Sequence, residues 1–312
     1  MTTASTPGKV AIWLATRNGA GFLDQQLRSL AAQTHPSIDI WASDDGSTDR
    51  TPAILADWQG RWNKGAFVVS QGPREGFAEN FRALIANPST EADFFACCDQ
   101  DDLWEQHKLE TALAWMRGED GSQPLLFCSR TLTISESGEP IGLSPLFSRK
   151  PSFRNALVQS LAGGNTMVLN RAAREVVALA SQRTRFVSHD WWMYQVVTGV
   201  GGTVRYSPEP LVRYRQHANN LVGANTSWAA RRGRLRRLLG GQLAEWNEIN
   251  LAALEKNRDL LTADAITALE LFSRARKENL LKATASLTRS GVYRQTPQGT
   301  LTLWAALALG LM

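Results

Sequence analysis

Apolar and polar positions alternate over the first hundred residues in blocks that predict strands separated by helices. Residues 9–15 (KVAIWLA) are almost continuously apolar, as in a strand buried on both faces, and residues 22–32 carry apolar side chains at helical spacing. The same order then recurs, with predicted strands at 38–42, 66–70 and 93–98 and predicted helices at 51–62 and 77–86. Strands that alternate with helices are typical of a parallel sheet with right-handed crossovers.

The pattern is less regular after residue 100. It predicts a strand at 125–132, a loop-rich stretch at 135–151, helices at 155–161, 168–180 and 189–197, and short strands at 202–206 and 211–214. From Trp228 onward, helix formers continue with almost no turn residues until Gly291. We therefore expect an α/β chain, with a mainly parallel sheet flanked by helices in residues 1–227 and a separate helical appendage in residues 228–312.

Length and cysteine content narrow the class of protein. The 312 residues, 43% of them hydrophobic, suffice for two domains or for one large α/β domain with an appendage, which excludes a small disulfide- or metal-stapled scaffold. Cys97, Cys98 and Cys128 are odd in number and form no CxxC pair, which indicates buried thiols in a reducing compartment. The first nine residues resemble no secretory signal and no apolar stretch reaches about 20 residues, so we expect a cytoplasmic protein.

The basic character of the chain belongs to its last part. Residues 228–312 hold 13 Lys and Arg against 7 Asp and Glu, which leaves 21 against 22 for residues 1–227. Residues 228–246 combine five arginines with leucines at helical spacing, and residues 301–312 are almost continuously apolar, although too short to span a bilayer. Two interpretations stay open: a basic amphipathic region on a membrane surface, and a helical bundle or dimer contact with solvated arginines.

An acidic cluster, DQDD, follows the predicted strand 93–98, at the edge of the sheet where α/β proteins bind ligands. Asp99, Asp101 and Asp102 repel one another unless a cation lies between them. Oxygen ligands completed by water and substrate phosphates are typical of Mg²⁺ or Mn²⁺ bound together with a nucleotide. The alternative is a solvated turn that caps a helix starting near Trp104.

A second acidic cluster, SDDGSTD, follows the predicted strand 38–42. A carboxylate of Asp44 or Asp45 can accept the imide N–H of a uracil or thymine ring, and an Asx turn that caps the next helix is the alternative. Neither the GxxxxGK[ST] loop nor the GxGxxG fingerprint occurs, so the usual phosphate cradles of kinases and dehydrogenases are missing from the sequence. We therefore expect a metal ion to bind the phosphates.

Three segments, in this order, resemble glycosyltransferase family 2, whose members have a Rossmann-like GT-A fold and use nucleotide-sugar donors. They are VAIWLATRNGAGFLDQQLRSLAAQT, IWASDDGSTDRT and FFACCDQDDLWEQHK, and the resemblance extends from residue 9 to about residue 225. SHDWW and YRQHANN, further along the chain, are similar to the rhamnosyltransferase-like branch of that family. The resemblance implies a GT-A nucleotide-sugar transferase domain in residues 1–227.

The resemblance implies a donor site that contains a metal ion. Asp44 and Asp45 would bind the base and ribose, Asp101 would contact the metal, and Asp99 would bind the ribose or the metal. His217 would complete the metal shell, or would only form a hydrogen bond in its loop. Other positions that match the donor side are Ala15, Thr16 and Arg17 beside the base, and Gly76 and Asn80 at the nucleotide or sugar.

On the acceptor side, Asp190 aligns with the catalytic base of inverting members. This base removes the proton of an acceptor hydroxyl as the hydroxyl attacks the anomeric carbon opposite the diphosphate, whose departing charge the metal stabilises. The other positions that match the family each have a structural alternative, which is a helix cap, a contact in the core or an anchor between a helix and the sheet. These matches are Gly164, Asn165 and Thr166 near a phosphate, Asp102 and Trp104 in the extended metal motif, and Trp191 against a sugar ring.

The sequence therefore predicts an inverting, metal-dependent glycosyltransferase with Mg²⁺ or Mn²⁺ as cofactor. The branch implies transfer of L-rhamnose from dTDP-β-L-rhamnose to a surface polysaccharide or a lipid-linked oligosaccharide, although the same motifs tolerate a UDP-hexose or UDP-galactofuranose donor. A position on the inner face of the cell membrane would suit a lipid-linked acceptor. A nucleic-acid-binding protein is disfavoured because residues 1–227 are slightly acidic, and a non-catalytic scaffold because both the acidic motif and Asp190 are present.

Overall fold

A computed structural model describes residues 8–217 and 242–312 of the chain. Within these ranges nine strands form one sheet in the order β3-β2-β1-β4-β8-β6-β9-β5, with β7 paired to β6. The strands are β1 (Val10–Thr16), β2 (Ile38–Asp44), β3 (Phe67–Gln71), β4 (Phe94–Cys98), β5 (Leu103–Trp104), β6 (Leu125–Ile134), β7 (Pro140–Leu143), β8 (Val168–Asn170) and β9 (Thr203–Arg215). The predicted α/β class is confirmed.

Helices cover both faces of this sheet. Those of the first 200 residues are α1 (Leu23–Ala31), α2 (Thr51–Arg61), α3 (Phe77–Ala86), α4 (Lys108–Arg117), α5 (Phe153–Ala156), α6 (Arg171–Gln182) and α7 (His189–Gly199). Those of the C-terminal range are α8 (Gln242–Lys256), α9 (Ala263–Ala275), α10 (Leu280–Ser290) and α11 (Pro297–Ala308).

The first four strands form the parallel half of the sheet. β1 pairs in parallel with β2 and β4, and β2 pairs in parallel with β3. Alternate side chains of β1 point to opposite faces, so Ile12 packs with the apolar side chains of α1, α2 and α4, while Trp13 packs with those of α3, α6 and α7. The carboxyl ends of β1, β2 and β4 lie side by side, which brings the two acidic clusters to one edge.

The second half of the sheet is mixed, which the prediction of a mainly parallel sheet did not include. β8 runs antiparallel to β4 and to β6, β9 runs parallel to β6, and β5 runs antiparallel to β9. Because Leu103 in β5 pairs with Arg213 in β9, the end of β9 lies against the DQDD segment. This pairing is what brings His217 to the acidic cluster.

Several predicted elements of the second half were wrong in type or extent. Residues 168–170 form a strand and not the first turn of a helix, since Asn170 ends β8 and its side chain accepts the backbone N–H of Ala173 to begin α6. Trp104 lies in β5, and α4 begins only at Lys108. Residues 202–206 and 211–214 belong to one strand, β9, and the predicted loop 135–151 contains β7.

The C-terminal helices pack onto the α/β core instead of standing apart as an appendage. Leu254 of α8, Phe272 of α9 and Leu303 of α11 belong to the same buried apolar cluster as Trp13 and Phe81. A bidentate ion pair, with both N–O distances 2.7 Å, also joins Arg154 to Asp264. The predicted boundary after residue 227 and the arginine-rich stretch 228–241 lie outside the described residues.

Two further predictions concern the cysteines and membrane spans. All three cysteines are buried and free, as expected. Across residues 8–217 and 242–312, no helix combines the length and the apolar character that crossing a bilayer requires.

Candidate active site

The carboxylates of the SDDGSTD cluster hold the loops at the ends of β1, β2 and β3. Asp44 accepts hydrogen bonds from the Thr16 hydroxyl (2.9 Å) and from the backbone N–H and hydroxyl of Ser47. Asp45 is buried and accepts the backbone N–H groups of Arg74 (2.6 Å) and Gly76 (2.9 Å). The Asx turn of this segment is formed by Asp49, whose side chain accepts the backbone N–H of Thr51 at 2.9 Å, whereas Asp44 bonds Ser47 three residues on. Asp45 anchors the loop that precedes α3.

Other predicted donor-side residues surround this pair. Asn80 is buried, and its amide donates to the backbone carbonyl of Ser43 at 2.9 Å. Gly76 has φ +93°, a conformation that favours glycine, immediately before α3. The Arg17 guanidinium is exposed and lies 3.8 Å from a carboxylate oxygen of Asp45, and Ala15 is half-buried beside it at the end of β1.

Gln100 joins the two acidic clusters through Arg17. Its side-chain carbonyl accepts the Arg17 backbone N–H at 2.8 Å, and its amide donates to the Arg17 carbonyl at 3.0 Å. Since Arg17 also reaches Asp45, the DQDD segment lies next to the end of β1 and the SDDGSTD loop. The two acidic clusters therefore lie together at one edge of the sheet.

Asp101 and His217 form the centre of the predicted metal site. The His217 Nε2 atom lies 2.8 Å from a carboxylate oxygen of Asp101, and the imidazole stacks on Phe22 with ring centroids 4.8 Å apart. In the described residues, no group of three or more His, Cys, Asp or Glu side chains is arranged to hold an ion by itself. Asp99, predicted as a further ligand, is therefore not brought into one ligand group with this pair.

The donor chemistry of this pair nevertheless fits a divalent cation. Mg²⁺ is usually held by one or two protein ligands together with water and substrate phosphates, and Mn²⁺ also accepts imidazole. A carboxylate and an imidazole already in contact supply such a partial shell. A nucleotide diphosphate would complete it.

Burial and mutual repulsion disfavour the charged forms of the other two aspartates. The pKa of Asp99 is raised well above its usual value by burial, then by the nearby charges of Asp102, Asp101 and Asp190. Burial, with the charge of Asp101, raises the pKa of Asp102 to about 7. The segment 160–165 links the predicted base to the metal motif, since Ser160 contacts Asp190 and Asn165 contacts Asp102, although Asp99 and Asp190 are 91 positions apart in sequence.

Asp102 connects the metal motif to two other segments. One carboxylate oxygen accepts the side-chain amide of Asn165, and the other accepts the backbone N–H of Arg215 at 3.0 Å. The buried guanidinium of Arg215 also donates to the backbone carbonyl of Asp101 (3.0 Å). Asp102 therefore acts as a structural junction between the DQDD loop, the acceptor-side loop and the end of β9.

Asp190 lies in the first turn of α7, where the helix dipole stabilises a negative charge. Its Oδ2 atom lies 3.2 Å from the hydroxyl of Ser160, whose single proton is shared between this carboxylate and the backbone carbonyl of Ala162, also at 3.2 Å. Ser160 is half-buried in the segment between α5 and the 3₁₀ turn at Gly164–Thr166. The serine was not singled out from the sequence, because a lone serine in an apolar stretch carries no motif.

His189, the neighbour of Asp190, explains the glycine at position 164. The imidazole is buried, stacks on Phe81 with centroids 3.7 Å apart, and neither ring nitrogen has a hydrogen-bond partner among the described residues. A Cβ atom at Gly164 would lie only 1.9 Å from His189 Nε2. The glycine therefore leaves room for the histidine.

The loop around Gly164 is internally bonded. The backbone N–H of Thr166 donates to the Gly163 carbonyl at 3.0 Å, and the Thr166 hydroxyl donates to the same carbonyl at 2.8 Å. The predicted contact of this loop with a phosphate stays a prediction.

The tryptophans singled out from the sequence are buried. Trp191 donates its indole N–H to the Ala156 carbonyl at 2.6 Å, and Trp192 donates to the Ser181 hydroxyl at 3.0 Å. Trp104 lies under Lys108, whose ammonium is 3.0 Å from the ring centroid. These contacts match the structural alternatives for Trp191 and Trp104, since neither ring is exposed to a sugar.

Comparisons with known proteins identify similar glycosyltransferases. The chain is similar to the dTDP-rhamnosyl transferase RfbG of Shigella flexneri, at 27% identity over 229 residues that cover 71% of this chain and 78% of that protein. It is also similar to the putative teichuronic acid biosynthesis glycosyltransferase TuaG of Bacillus subtilis, at 24% identity over 72% of this chain and 84% of that protein.

Solved structures of glycosyltransferases share the fold. Residues 1–349 of TarS from S. aureus in complex with UDP-GlcNAc match with a TM-score of 0.51 at 16% identity, over 91% of this chain and 93% of that one. A mannosyltransferase from Pyrobaculum calidifontis, in complex with GDP-Man and Mn²⁺, matches with a TM-score of 0.51 at 17% identity, over 98% of this chain and 86% of that one. The model of the family "Glycosyl transferase family 2" matches residues 12–176, more than half of the 312 residues, and the chain therefore belongs to glycosyltransferase family 2, with a GT-A fold.

Proposed function

We propose that this glycosyltransferase is an inverting, metal-dependent enzyme that transfers L-rhamnose from dTDP-β-L-rhamnose to a hydroxyl of a surface polysaccharide or a lipid-linked oligosaccharide. The observation that supports the proposal is that one segment, residues 160–165, contacts both Asp190 and the DQDD motif, whose Asp101 lies against His217. A base and a partial metal shell are the two groups that such a transfer needs.

Asp190 is the proposed general base. Ser160 holds its Oδ2 atom, while Oδ1 accepts no hydrogen bond from any other described residue. Oδ1 can therefore receive the proton of an acceptor hydroxyl as that oxygen attacks the anomeric carbon. Attack from the face opposite the diphosphate inverts the configuration, so a β-linked donor gives an α-L-rhamnoside.

Asp101 and His217 are the proposed ligands of the cation. When bound, Mg²⁺ or Mn²⁺ would neutralise charge on the departing diphosphate. Asp45 and Asn80 shape the donor-side loops, and the exposed guanidinium of Arg17 lies at the same edge, within reach of a bound nucleotide.

The donor is proposed from the similarity to RfbG, whose name specifies a dTDP-rhamnosyl transferase. The alternative donors are UDP-hexose and UDP-galactofuranose, and the TarS structure with UDP-GlcNAc shows that this fold holds a uridine nucleotide in another protein. The name of TuaG, which specifies teichuronic acid biosynthesis, supports a surface polysaccharide as the product.

A donor screen tests this assignment. The protein is incubated with Mg²⁺ or Mn²⁺ and a panel of nucleotides and nucleotide sugars, while the melting temperature and the release of nucleotide are recorded. We expect stabilisation by dTDP and dTDP-rhamnose and none by UDP at equal concentration. The opposite ranking would replace rhamnose by a UDP-linked sugar, and no stabilisation by any nucleotide would remove the transferase proposal.

Two substitutions separate catalysis from binding. Asp190→Asn should lower the rate of transfer by a factor of about 10²–10⁴, typical for the loss of a general base, while the Kd for the donor stays unchanged. Asp101→Ala should instead weaken donor binding in the presence of metal and leave metal-free binding unaffected. If the Asp190→Asn variant transfers at the parent rate, another group is the base.

A further inference from the structure

Two long stretches of the chain contain no carboxylate side chain. Residues 140–174 hold five Lys and Arg with no Asp or Glu, and residues 279–312 hold three with no Asp or Glu. The whole chain has 29 acidic residues among 312, so about six would be expected in these 69 positions if the acids were evenly spread.

The two stretches meet in space. Arg149 donates a hydrogen bond of 3.2 Å to the backbone carbonyl of Arg294, and its guanidinium lies 3.6 Å above the centroid of the Tyr293 ring. The Tyr293 hydroxyl in turn donates to the backbone carbonyl of Lys150. Arg149 and Lys150 are exposed, and neither forms an ion pair with any described acidic residue, so their charge is available to an external anion.

The same stretches expose most of the large apolar side chains on the surface. Of the eleven such exposed side chains in the described residues, seven lie here: Ile141, Leu143, Leu146, Leu280, Leu281, Leu301 and Leu309. On α11, Leu301 and Leu309 are 70% and 66% exposed and share one helical face with Ala305 and Ala308. Two carboxylates from outside the stretches contact them, since Asp264 pairs with Arg154 and Glu278 accepts a hydrogen bond from Ser286. Exposed apolar side chains combined with unpaired cations such as Arg149 and Lys150 are typical of a protein surface that lies in a lipid interface.

We propose that residues 140–150 together with the exposed sides of α10 and α11 bind the surface of an anionic lipid bilayer. The cations would contact lipid phosphates, and the leucines and isoleucine would enter the boundary between headgroups and acyl chains. This lipid-binding surface rests on the proposed function, because a lipid-linked acceptor would give the enzyme a reason to bind a membrane.

Vesicle binding of the full chain tests the proposal without donor or acceptor, so the result does not depend on activity. The protein is sedimented with vesicles of phosphatidylcholine alone and with vesicles that contain 30% phosphatidylglycerol. We expect binding to the anionic vesicles that falls as NaCl is raised. Arg149→Glu with Lys150→Glu should weaken this binding about thirtyfold or more, from about 1 kcal/mol per cation.

Matched variants show whether the effect belongs to this face. Lys256→Glu with Arg274→Glu makes the same change in charge at exposed positions outside the two stretches and should leave binding within about twofold of the parent. Leu301→Ser with Leu309→Ser should also weaken binding, whereas Leu179→Ser with Ile249→Ser, also at exposed positions, should not. Arg149→Gln with Lys150→Gln provides a milder change if the Glu variant unfolds, as judged by circular dichroism.

Three results would overturn the proposal. The first is equal binding to both kinds of vesicle, and the second is an equal loss in the test and control pairs. The third is a parent protein that binds no vesicles but self-associates in light scattering, while the Leu301→Ser, Leu309→Ser variant is monomeric. The face would then be a contact between copies of the chain. A loss of donor hydrolysis with intact vesicle binding would count only against the proposed function.

Discussion

The hydroxyl of Ser160 is the one described contact that orients Oδ2 of Asp190. We expect Ser160→Ala to lower the rate of transfer about tenfold, because a hydrogen bond to a charged group contributes about 1.5–3 kcal/mol and this one, at 3.2 Å, is long. The Kd for the donor should stay unchanged, which calorimetry can measure. Ser160→Thr keeps the hydroxyl and should recover most of the rate; equal losses in both variants would mean that Ser160 only fills space.

His189 makes the stability of the protein depend on pH. Burial lowers the pKa of its imidazole from 6.5 to about 4, so between these values the unfolded chain binds a proton that the folded chain does not. The contribution of His189 to stability is therefore fully present above about pH 6.5 and is lost as the pH falls towards 4. The loss amounts to about 3 kcal/mol in the free energy of unfolding.

Urea unfolding at a series of pH values measures this effect by comparison with His189→Gln, which does not titrate. The difference between the two proteins should change by about 3 kcal/mol between pH 7 and pH 4. A constant difference would show that folding does not shift the pKa of His189. The comparison also removes the contribution of Asp99, whose raised pKa acts with the opposite sign.

The 3₁₀ turn at Gly164–Thr166 and the start of α7 fit together only because position 164 lacks a side chain. Gly164→Ala should destabilise the protein by about 1–3 kcal/mol, as overpacked cores do, and should lower the rate of transfer by displacing the first turn of α7. Thermal unfolding measures the first effect. Gly60→Ala, in α2 where an added Cβ meets nothing within 4 Å, is the control and should be neutral or stabilising.

The double variant Gly164→Ala, His189→Ala tests the cause. Removing the imidazole removes the atom that the new Cβ would strike, so the two substitutions together should be less damaging than the sum of their separate effects. Additive effects would mean that the turn is strained for another reason.

At the scale of elements, the sequence predicted helices and strands most accurately where a long apolar pattern is bounded by turn residues. The predicted helix 77–86 coincides with α3, and the strands before it are placed to within two residues. The prediction was wrong for β5 and β8, which have two and three residues and pair antiparallel with distant strands. Such short strands are fixed by their partners in the sheet, so no local pattern distinguishes them from the start of a helix.

The residues of the candidate site also differ in how far the sequence could predict them. The residues of the two acidic clusters are adjacent in sequence and follow strands, so a pattern could identify them. Ser160, Gln100 and the buried Arg215 act through contacts with residues 30, 83 and 114 positions away, which only the folded chain reveals. The roles of Asp45, Asp101 and Asp190 themselves stay predictions until the substitutions are made.

At the scale of the whole molecule, the C-terminal helices are part of the core. A protein of residues 1–227 would lose Leu254, Leu269 and Phe272, which are buried in the same cluster as Trp13. We expect this truncated protein to lack a cooperative thermal transition, or to melt well below the full chain, because several fully buried apolar side chains each contribute about 1.5–3 kcal/mol. A cooperative transition within a few degrees of the full chain would show that residues 1–227 are an independent domain.

Asp102 links the segment beside the proposed donor site to the segment beside the proposed acceptor site. One of its oxygens is bound to Asn165 on the acceptor-side loop and the other to the backbone of Arg215, two residues before His217. A displacement of the end of β9 would therefore be transmitted to the loop that contains Asn165. Under the proposed function, the donor binds beside the first of these segments and the acceptor beside the second. The two substrates should then bind synergistically, and by thermodynamic linkage each must tighten the other by the same factor.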